Sequence, residues 1–253
     1  MSVSSTDPSG QPPTLPGARV LVVQHGADDP PGRVGSWLTE AGCTLEVVRG
    51  DLGEELPATL APYAALVVLG GAMGAYDDDA CPWLAPTKRL LREAAERDVP
   101  TLGICLGHQL LAVANDGRVA TAAEPQVGLR PVGLTAEAAG DRLLAGLAAG
   151  TGAVHWNNDV VVEPPTGAVV LATGSEGIQV FRLGRSVYGV QFHPEVEVET
   201  VAAWAQQDVT AGRWPAEVAA ARIAAIAAAD GALRAAWQPV IHQLAGLVRA
   251  PVS

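Results

Sequence analysis

The sequence predicts an α/β fold: a mostly parallel central sheet with helices on both faces, an antiparallel extension and a C-terminal helical segment. Three observations carry this. In the first half, short continuous apolar runs alternate with helical stretches, the pattern of strands buried on both faces. In the second half, apolar runs follow one another with only turn residues between them. From about Glu197 to Val248 the chain is rich in alanine and reads as helix.

Taken in order, "RVLVVQ" (19–24) is the first strand, closed by polar and Gly/Pro residues. "GRVGSWLTEAG" (32–42) reads as a helix ended by Gly42, and "TLEVVR" (44–49) as the second strand. "ALVVLGG" (65–71) is a third strand with two glycines just past it. "APTKRLLREAAERD" (85–98) is an amphipathic helix that sets Arg92 and Glu96 at i, i+4. "PTLGIC" (100–105) is a fourth strand, and "LGHQLLAVAND" (106–116) continues as helix. In parallel sheets of this kind, ligands bind beyond the carboxyl ends of the strands. Gln24-His25, Gly70-Gly71 and Cys105 all lie at such ends.

The second half reads as strands at "VGLRPVGLT" (127–135), "AVHW" (153–156), "DVVVEP" (159–164) and "AVVLATG" (168–174). "IQVFRLGRSVYGVQF" (178–192) reads as a hairpin turning near Gly184-Arg185. "PAEVAAARIAAIAAADG" (215–231) has Pro near its start and Gly after its end, as a helix should. The expected organisation is a mobile Ser/Pro/Gly-rich tail over 1–17, one domain over 18–200, and a helical extension over 201–253 packed on it.

Composition narrows the function. With 253 residues, 49% of them hydrophobic, the chain can bury a sizeable core. A net charge of -11 argues against nucleic acid or an anionic membrane as partner, since either would repel it. No apolar run approaches the roughly 20 residues that span a bilayer, and the N-terminus lacks the basic and apolar regions of a signal peptide. Cys43, Cys81 and Cys105 have no regular spacing and form no C-x-x-C, so a disulfide framework is not expected and a reducing cytoplasm is the natural setting.

Cys105 lies in "GICLGHQL", where Gly103-x-Cys105-x-Gly107 joins a strand to a helix. Small neighbours let the chain turn sharply there and expose a nucleophile, and the helix dipole favours thiolate. A buried core thiol packed among glycines is the other reading. In "VQFHPE" (190–195), His193 and Glu195 are two apart, so in extended chain they point to one side. Glu195 would then orient His193 as a base; a solvated turn pair is the alternative. Gly70-Gly71 offers bare backbone amides to a substrate oxygen, or simply turns the chain. Asp77, Asp78 and Asp79 lack partners at metal-ligand spacing and read as a solvated loop. His108 reads as a structural helix residue, and His25, with Asp28 and Asp29 nearby, as a loop residue or a lining of the cleft. Cys43 and Cys81 have no base or elbow beside them.

Together, "GICLGHQ", "QFHPE" and the glycine pair resemble the class I, or triad, glutamine amidotransferases over roughly residues 19–200. "VLVVQH", "GGAMGAYDDDACPWL" and the long helical tail suit the stand-alone proteins related to the amidotransferase domain of GMP synthase. The resemblance implies a flavodoxin-like three-layer sandwich. It implies Cys105 as nucleophile, His193 as general base and acid, and Glu195 as the residue orienting His193. Backbone amides at Gly70-Gly71 and Leu106 would hold the oxyanion, and Gln109 would help hold glutamine. A γ-glutamyl thioester would form with no metal or organic cofactor. No Walker-type loop is present, so the ammonia would pass to a separate synthetase or be wasted. The alternative is an independent hydrolase of γ-glutamyl peptides or amines; a silent regulatory subunit is the third, against which the complete triad argues. One segment departs from the family. Where relatives often carry Trp-His-x-Asp, this chain has Trp156, Asn157, Asn158 and Asp159, and asparagine hydrogen-bonds but does not titrate. That segment is expected beside the amino-acid portion of the substrate.

Overall fold

The computed structural model describes residues 17–248. Apart from Gly17, the tail expected over 1–17 lies outside the described residues, as does 249–253. The first half runs β1 (Ala18–Gln24), α1 (Gly32–Glu40), β2 (Cys43–Arg49), β3 (Ala65–Val68), α2 (Leu84–Arg97), β4 (Thr101–Ile104) and α3 (Leu106–Ala114). The second runs β5 (Arg118–Pro131), β6 (Gly152–Glu163), β7 (Val169–Thr173), β8 (Ile178–Leu183), β9 (Val187–Val190), α4 (Val198–Thr210) and α5 (Ala216–Leu247). One sheet holds all the strands in the order β2-β1-β3-β4-β9-β8-β6-β5, with β7 paired to β8. The pairs from β2 to β9 along this order are parallel; those beyond β9 are antiparallel.

The continuous apolar runs bury both faces because strand side chains alternate. Val20 and Val22 of β1 join a core with Trp37 and Leu38 of α1, Trp204 of α4, and Ile226 and Trp237 of α5. Leu21 and Val23 join the opposite core, with Leu90 of α2 and Leu110 of α3. The result is the expected three-layer, flavodoxin-like sandwich.

Four expectations are corrected. "AVHW" and "DVVVEP" form one strand, β6, because its ladder with β5 carries the polar Asn157 opposite Gln126. β5 starts at Arg118 rather than Val127 and ends at Pro131; its early residues are weakly apolar and are held by that same ladder. The helix expected to stop at Gly231 continues as α5 to Leu247, through Gly231 and Pro239. Burial of Leu233, Trp237, Ile241 and Leu244 outweighs both helix-weakening residues. Arg92 does not pair with Glu96: its Nε donates to the Ala114 carbonyl at 2.9 Å, and Glu93 pairs with Arg97 instead.

α4 runs across residue 200. α5 lies against α1, β5 and β6, and its Trp237 Nε1 donates to the Gly152 carbonyl at 3.1 Å.

Candidate active site

β4 ends at Ile104 and α3 begins at Leu106, leaving Cys105 alone to make the turn, at φ 50° and ψ -103°. This conformation is strained for a residue with a Cβ, by about 1–3 kcal/mol. Its neighbours must be glycine: a Cβ on Gly107 would stand 2.1 Å from the Val68 carbonyl oxygen, and one on Gly103 2.5 Å from that of Gly107. Cys105 N–H donates to the Val190 carbonyl at 2.8 Å, which ties the elbow to the end of β9.

That tie brings the second motif to the first. Ile104 and Val190 are register partners across β4 and β9. The chain leaves β9 through Gln191 and Phe192 and turns at His193, whose N–H donates to the Val154 carbonyl at 2.8 Å. His193 Nδ1 is 2.7 Å from Glu195 Oε1, and both side chains are 3% exposed. The pair lies in the bend after β9 rather than on a strand, yet its side chains meet as the i, i+2 spacing requires. A point one Cβ from Gly70 lies 3.2 Å from His193 Cε1 and 3.7 Å from Cys105 Cβ, so the two side chains flank that glycine. Burial pulls the His193 imidazole down, but the Glu195 carboxylate and then the Cys105 sulphur outweigh it and hold it well above the ordinary histidine value. Its Nε2 has no hydrogen-bond partner among the described residues.

Gln191 is a contact the sequence did not single out, although it stands inside "VQFHPE". Its Nε2 donates to Cys105 Sγ at 3.6 Å. Its orientation is set from behind: Gln109 Nε2 donates to the Asp159 carbonyl at 2.9 Å and to Gln191 Oε1 at 3.4 Å. The remaining Gln191 N–H must therefore face the sulphur.

On the other side of Cys105, the loop after β3 meets the start of α3. Gly107 N–H donates to the Leu69 carbonyl at 3.2 Å, whereas the N–H groups of Gly71 and Leu106 have no backbone acceptor among the described residues. Cys105, Gly71, Gln109 and His193 line one cleft of about 590 Å3. Gly70, Leu106 and Glu195 are buried and are not part of its lining.

Trp156, Asn157, Asn158 and Asp159 line the same cleft. Asn157 Nδ2 donates to the Asp159 carbonyl at 3.1 Å and to Gln126 Oε1 at 3.3 Å, and its Oδ1 has no partner among the described residues. Sequence reasoning missed the wall built by α4 and its following turn: Trp204, Gln207, Asp208, Arg213 and Trp214. No local pattern announces that an alanine-rich helix will face the cleft. Asp29, which in the sequence stands out only as a neighbour of His25, lines the cleft, and burial pushes its carboxyl up to about 6.

His25, His108 and His155 do not line the cleft. His25 accepts from Trp83 Nε1 at 3.1 Å; burial pulls it down to about 4. His108 is wholly buried against the Ile178 carbonyl at 3.1 Å, and burial likewise lowers it to about 4. His155, unforeseen, is held to about 3 by burial and then by the charge on His193. Asp77 accepts from Gly74 N–H at 2.7 Å and Asp78 pairs with Lys88 at 2.6 Å, so both hold the loop before α2. Among the described residues no group of three His, Cys, Asp or Glu could hold a metal ion. Cys43 and Cys81 do not line the cleft. No described helix is long and apolar enough to cross a membrane.

A network behind the pair was also illegible in sequence. Arg33 N–H donates to the Glu195 carbonyl at 2.8 Å, and its buried guanidinium pairs with Glu197 at 2.8 Å and with Asp230 of α5.

A family model described as glutamine amidotransferase class-I matches residues 35–205. A glutamine amidotransferase-like protein of Salmonella typhimurium is 30% identical over 188 residues, 72% of this chain and 78% of that one. A glutamine-hydrolysing GMP synthase subunit of Sulfolobus acidocaldarius is 45% identical over 103 residues, 40% of this chain and 53% of that one. The chain thus spans about half the length of that relative. Among solved structures, a glutamine amidotransferase from Methylobacillus flagellatus superposes with a TM-score of 0.80 at 25% identity, over 92% of this chain and 96% of that one. One from Thermotoga maritima, 22% identical, also reaches 0.80 over 90% and 98% of the two chains, and shows the shared fold. The chain therefore belongs to the class I glutamine amidotransferases and is similar to the GMP synthase subunits among them.

Proposed function

We propose that the chain hydrolyses the side-chain amide of glutamine through Cys105, His193 and Glu195, and that the ammonia passes to a separate synthetase. The observation that carries this reading is the elbow: Cys105, at φ 50°, stands beside a buried His193–Glu195 pair joined at 2.7 Å. The Cys105 sulphur attacks the amide carbon, and the N–H groups of Gly71 and Leu106 face the developing oxyanion. Charged His193 gives its Nε2 proton to the departing ammonia, leaving a γ-glutamyl thioester. Water, deprotonated by His193, then releases glutamate and restores the thiol. Glu195 keeps the imidazole oriented and charged for the first transfer. Gln109 acts on the site by holding Gln191 and β6 as well as by lining the cleft. A separate synthetase is supported by the likeness to GMP synthase subunits.

Release of glutamate and ammonia from glutamine tests the chemistry. Cys105→Ala is expected to lose about 10⁴-fold or more. Undiminished release by that variant would sink the reading. Co-purification of a synthetase with tagged full-length chain tests the destination of the ammonia.

A further inference from the structure

Glu195 keeps His193 oriented, yet little holds the Glu195 carboxylate itself. Its Oε1 meets His193 Nδ1 at 2.7 Å, and its Oε2 has no hydrogen-bond partner among the described residues. The aim of this side chain is therefore set by its backbone. That backbone rests on the start of α1. The Glu195 carbonyl accepts from Arg33 N–H at 2.8 Å. Beside it stands Gly32, at φ 45°, where a Cβ would lie 2.1 Å from the same carbonyl oxygen and 3.1 Å from its carbon. Only a glycine leaves room for the carbonyl there.

Arg33 grips the chain a second time, two residues on. Its Nε donates to Glu197 Oε2 at 2.9 Å and its Nη2 reaches the same oxygen at 2.8 Å. Glu197 is the residue from which α4 starts. One residue thus spans Glu195–Glu197, with its main chain on one end and its guanidinium on the other. Nη2 also pairs with Asp230 of α5. The Arg33 side chain is only 4% exposed. Arg33, Asp230 and His193 border one small cavity of about 10 Å3, and neither Arg33 nor Asp230 lines the cleft. A buried guanidinium between carboxylates adds little stability, because desolvation offsets most of the attraction. What its planar fork does fix is geometry.

We propose that Arg33 is a positioning residue for the reaction: by clamping Glu195–Glu197 against α1 and α5, it fixes the aim of Glu195 at His193. This rests on the thioester chemistry above and deepens it. Asp230, on the C-terminal helix and outside the cleft, then takes part in setting the rate. The cleft lining is untouched, so loss of the clamp lowers kcat and leaves KM in place.

Arg33→Met removes the clamp and keeps the apolar stem. Arg234 pairs with Glu197 at 2.9 Å and with Asp230 at 3.0 Å, so neither carboxylate is left without a cation, and the variant should fold with a cooperative urea transition. Its kcat for glutamate release from glutamine should fall about tenfold with KM within about twofold, since a small misplacement of a reacting group is costly. Arg33→Lys, which restores a cation, should lie between the two. An unchanged kcat in Arg33→Met, a KM that rises in step with the lost rate, or a lysine variant no faster than Arg33→Met overturns the proposal. Should Arg33→Met not fold, Asp230→Asn removes one arm and keeps the Arg33–Glu197 pair. It should lower kcat by about threefold, and an unchanged kcat overturns the coupling to α5. A second readout is the proton between His193 Nδ1 and Glu195 Oε1, a downfield NMR resonance assigned by its absence from His193→Gln. It should move in Arg33→Met, and a resonance that stays overturns the clamp whatever the rates. Should the unaltered chain leave glutamine intact, the thioester reading fails, and this resonance alone decides the clamp.

Discussion

Three groups bear on the Cys105 sulphur, and each acts in a different way. The helix start offers N–H groups, His193 offers positive charge, and Gln191 offers one oriented N–H at 3.6 Å. Only the last can be removed without touching the proposed proton transfer. Gln191→Met is therefore expected to slow glutamate release from glutamine by about tenfold, since a hydrogen bond to a charged group contributes roughly 1.5 kcal/mol or more. An unchanged rate would show that the sulphur does not depend on this amide. Asp29 makes the opposite kind of prediction. Its carboxyl titrates at about 6 in the folded chain, chiefly through burial, against an ordinary 3.8. An acid raised in this way costs stability progressively as pH rises from about 4 to about 6, because the unfolded chain loses its proton first. Above that window the cost is full. Asp29→Asn should then be more stable than the parent by about 1–3 kcal/mol at pH 7.5, with the difference vanishing near pH 4 in urea unfolding. Equal stability at both pH values would show that the carboxylate is not strained by its surroundings.

At the scale of elements, α5 is the clearest case of packing overriding local signals. Gly231 reads as a terminator, yet it sits inside the helix, is not among the positive-φ glycines, and has open space where a Cβ would stand. Gly231→Ala is expected to stabilise the chain by about 0.5–1 kcal/mol in urea unfolding. Had the glycine capped the helix in left-handed conformation, the same change would destabilise, so the sign of the effect is decisive. Continuity matters for the site because Asp230, one residue earlier, holds Arg33, whose N–H supports the Glu195 carbonyl. α4 makes a second tie: Trp204 Nε1 donates to the Asp28 carbonyl at 3.0 Å, holding the loop that carries Asp29.

Across the whole molecule, the sheet order decides which motifs meet. β1, β3, β4 and β9 are parallel neighbours, so their carboxyl ends deliver Asp29, Gly71, Cys105 and His193 to one edge. α4 and its following turn wall that edge, and α4 and α5 share one hydrophobic core with β1, β3 and β4. A chain cut after Glu197 would uncover Phe192, which packs against Trp237, and Trp156, which packs against Trp204. It should fail to unfold cooperatively and should associate, as read by circular dichroism and size-exclusion chromatography. A cooperative monomeric unfolding transition from the truncated chain would instead make the helical extension a separate unit.

The elements and motifs legible in the sequence were those with local physical causes. Strand runs, the Gly-x-Cys-x-Gly elbow and the His193–Glu195 spacing depend on residues a few positions apart, so periodicity and small side chains expose them. The joining of β6 across Asn157, the passage of α5 through Gly231 and the start of β5 at Arg118 depend on partners far along the chain. By itself, the sequence determined the alternation of strands and helices, the elbow and the two motifs by which the family is known. Only the tertiary structure decided that Cys105 and His193, 88 positions apart, stand side by side, that Gln191 turns its N–H to the sulphur, and that Asp29 lines the cleft without a partner. The reason is that those contacts are set by which strands neighbour which and in what register, and local residue patterns do not encode strand order.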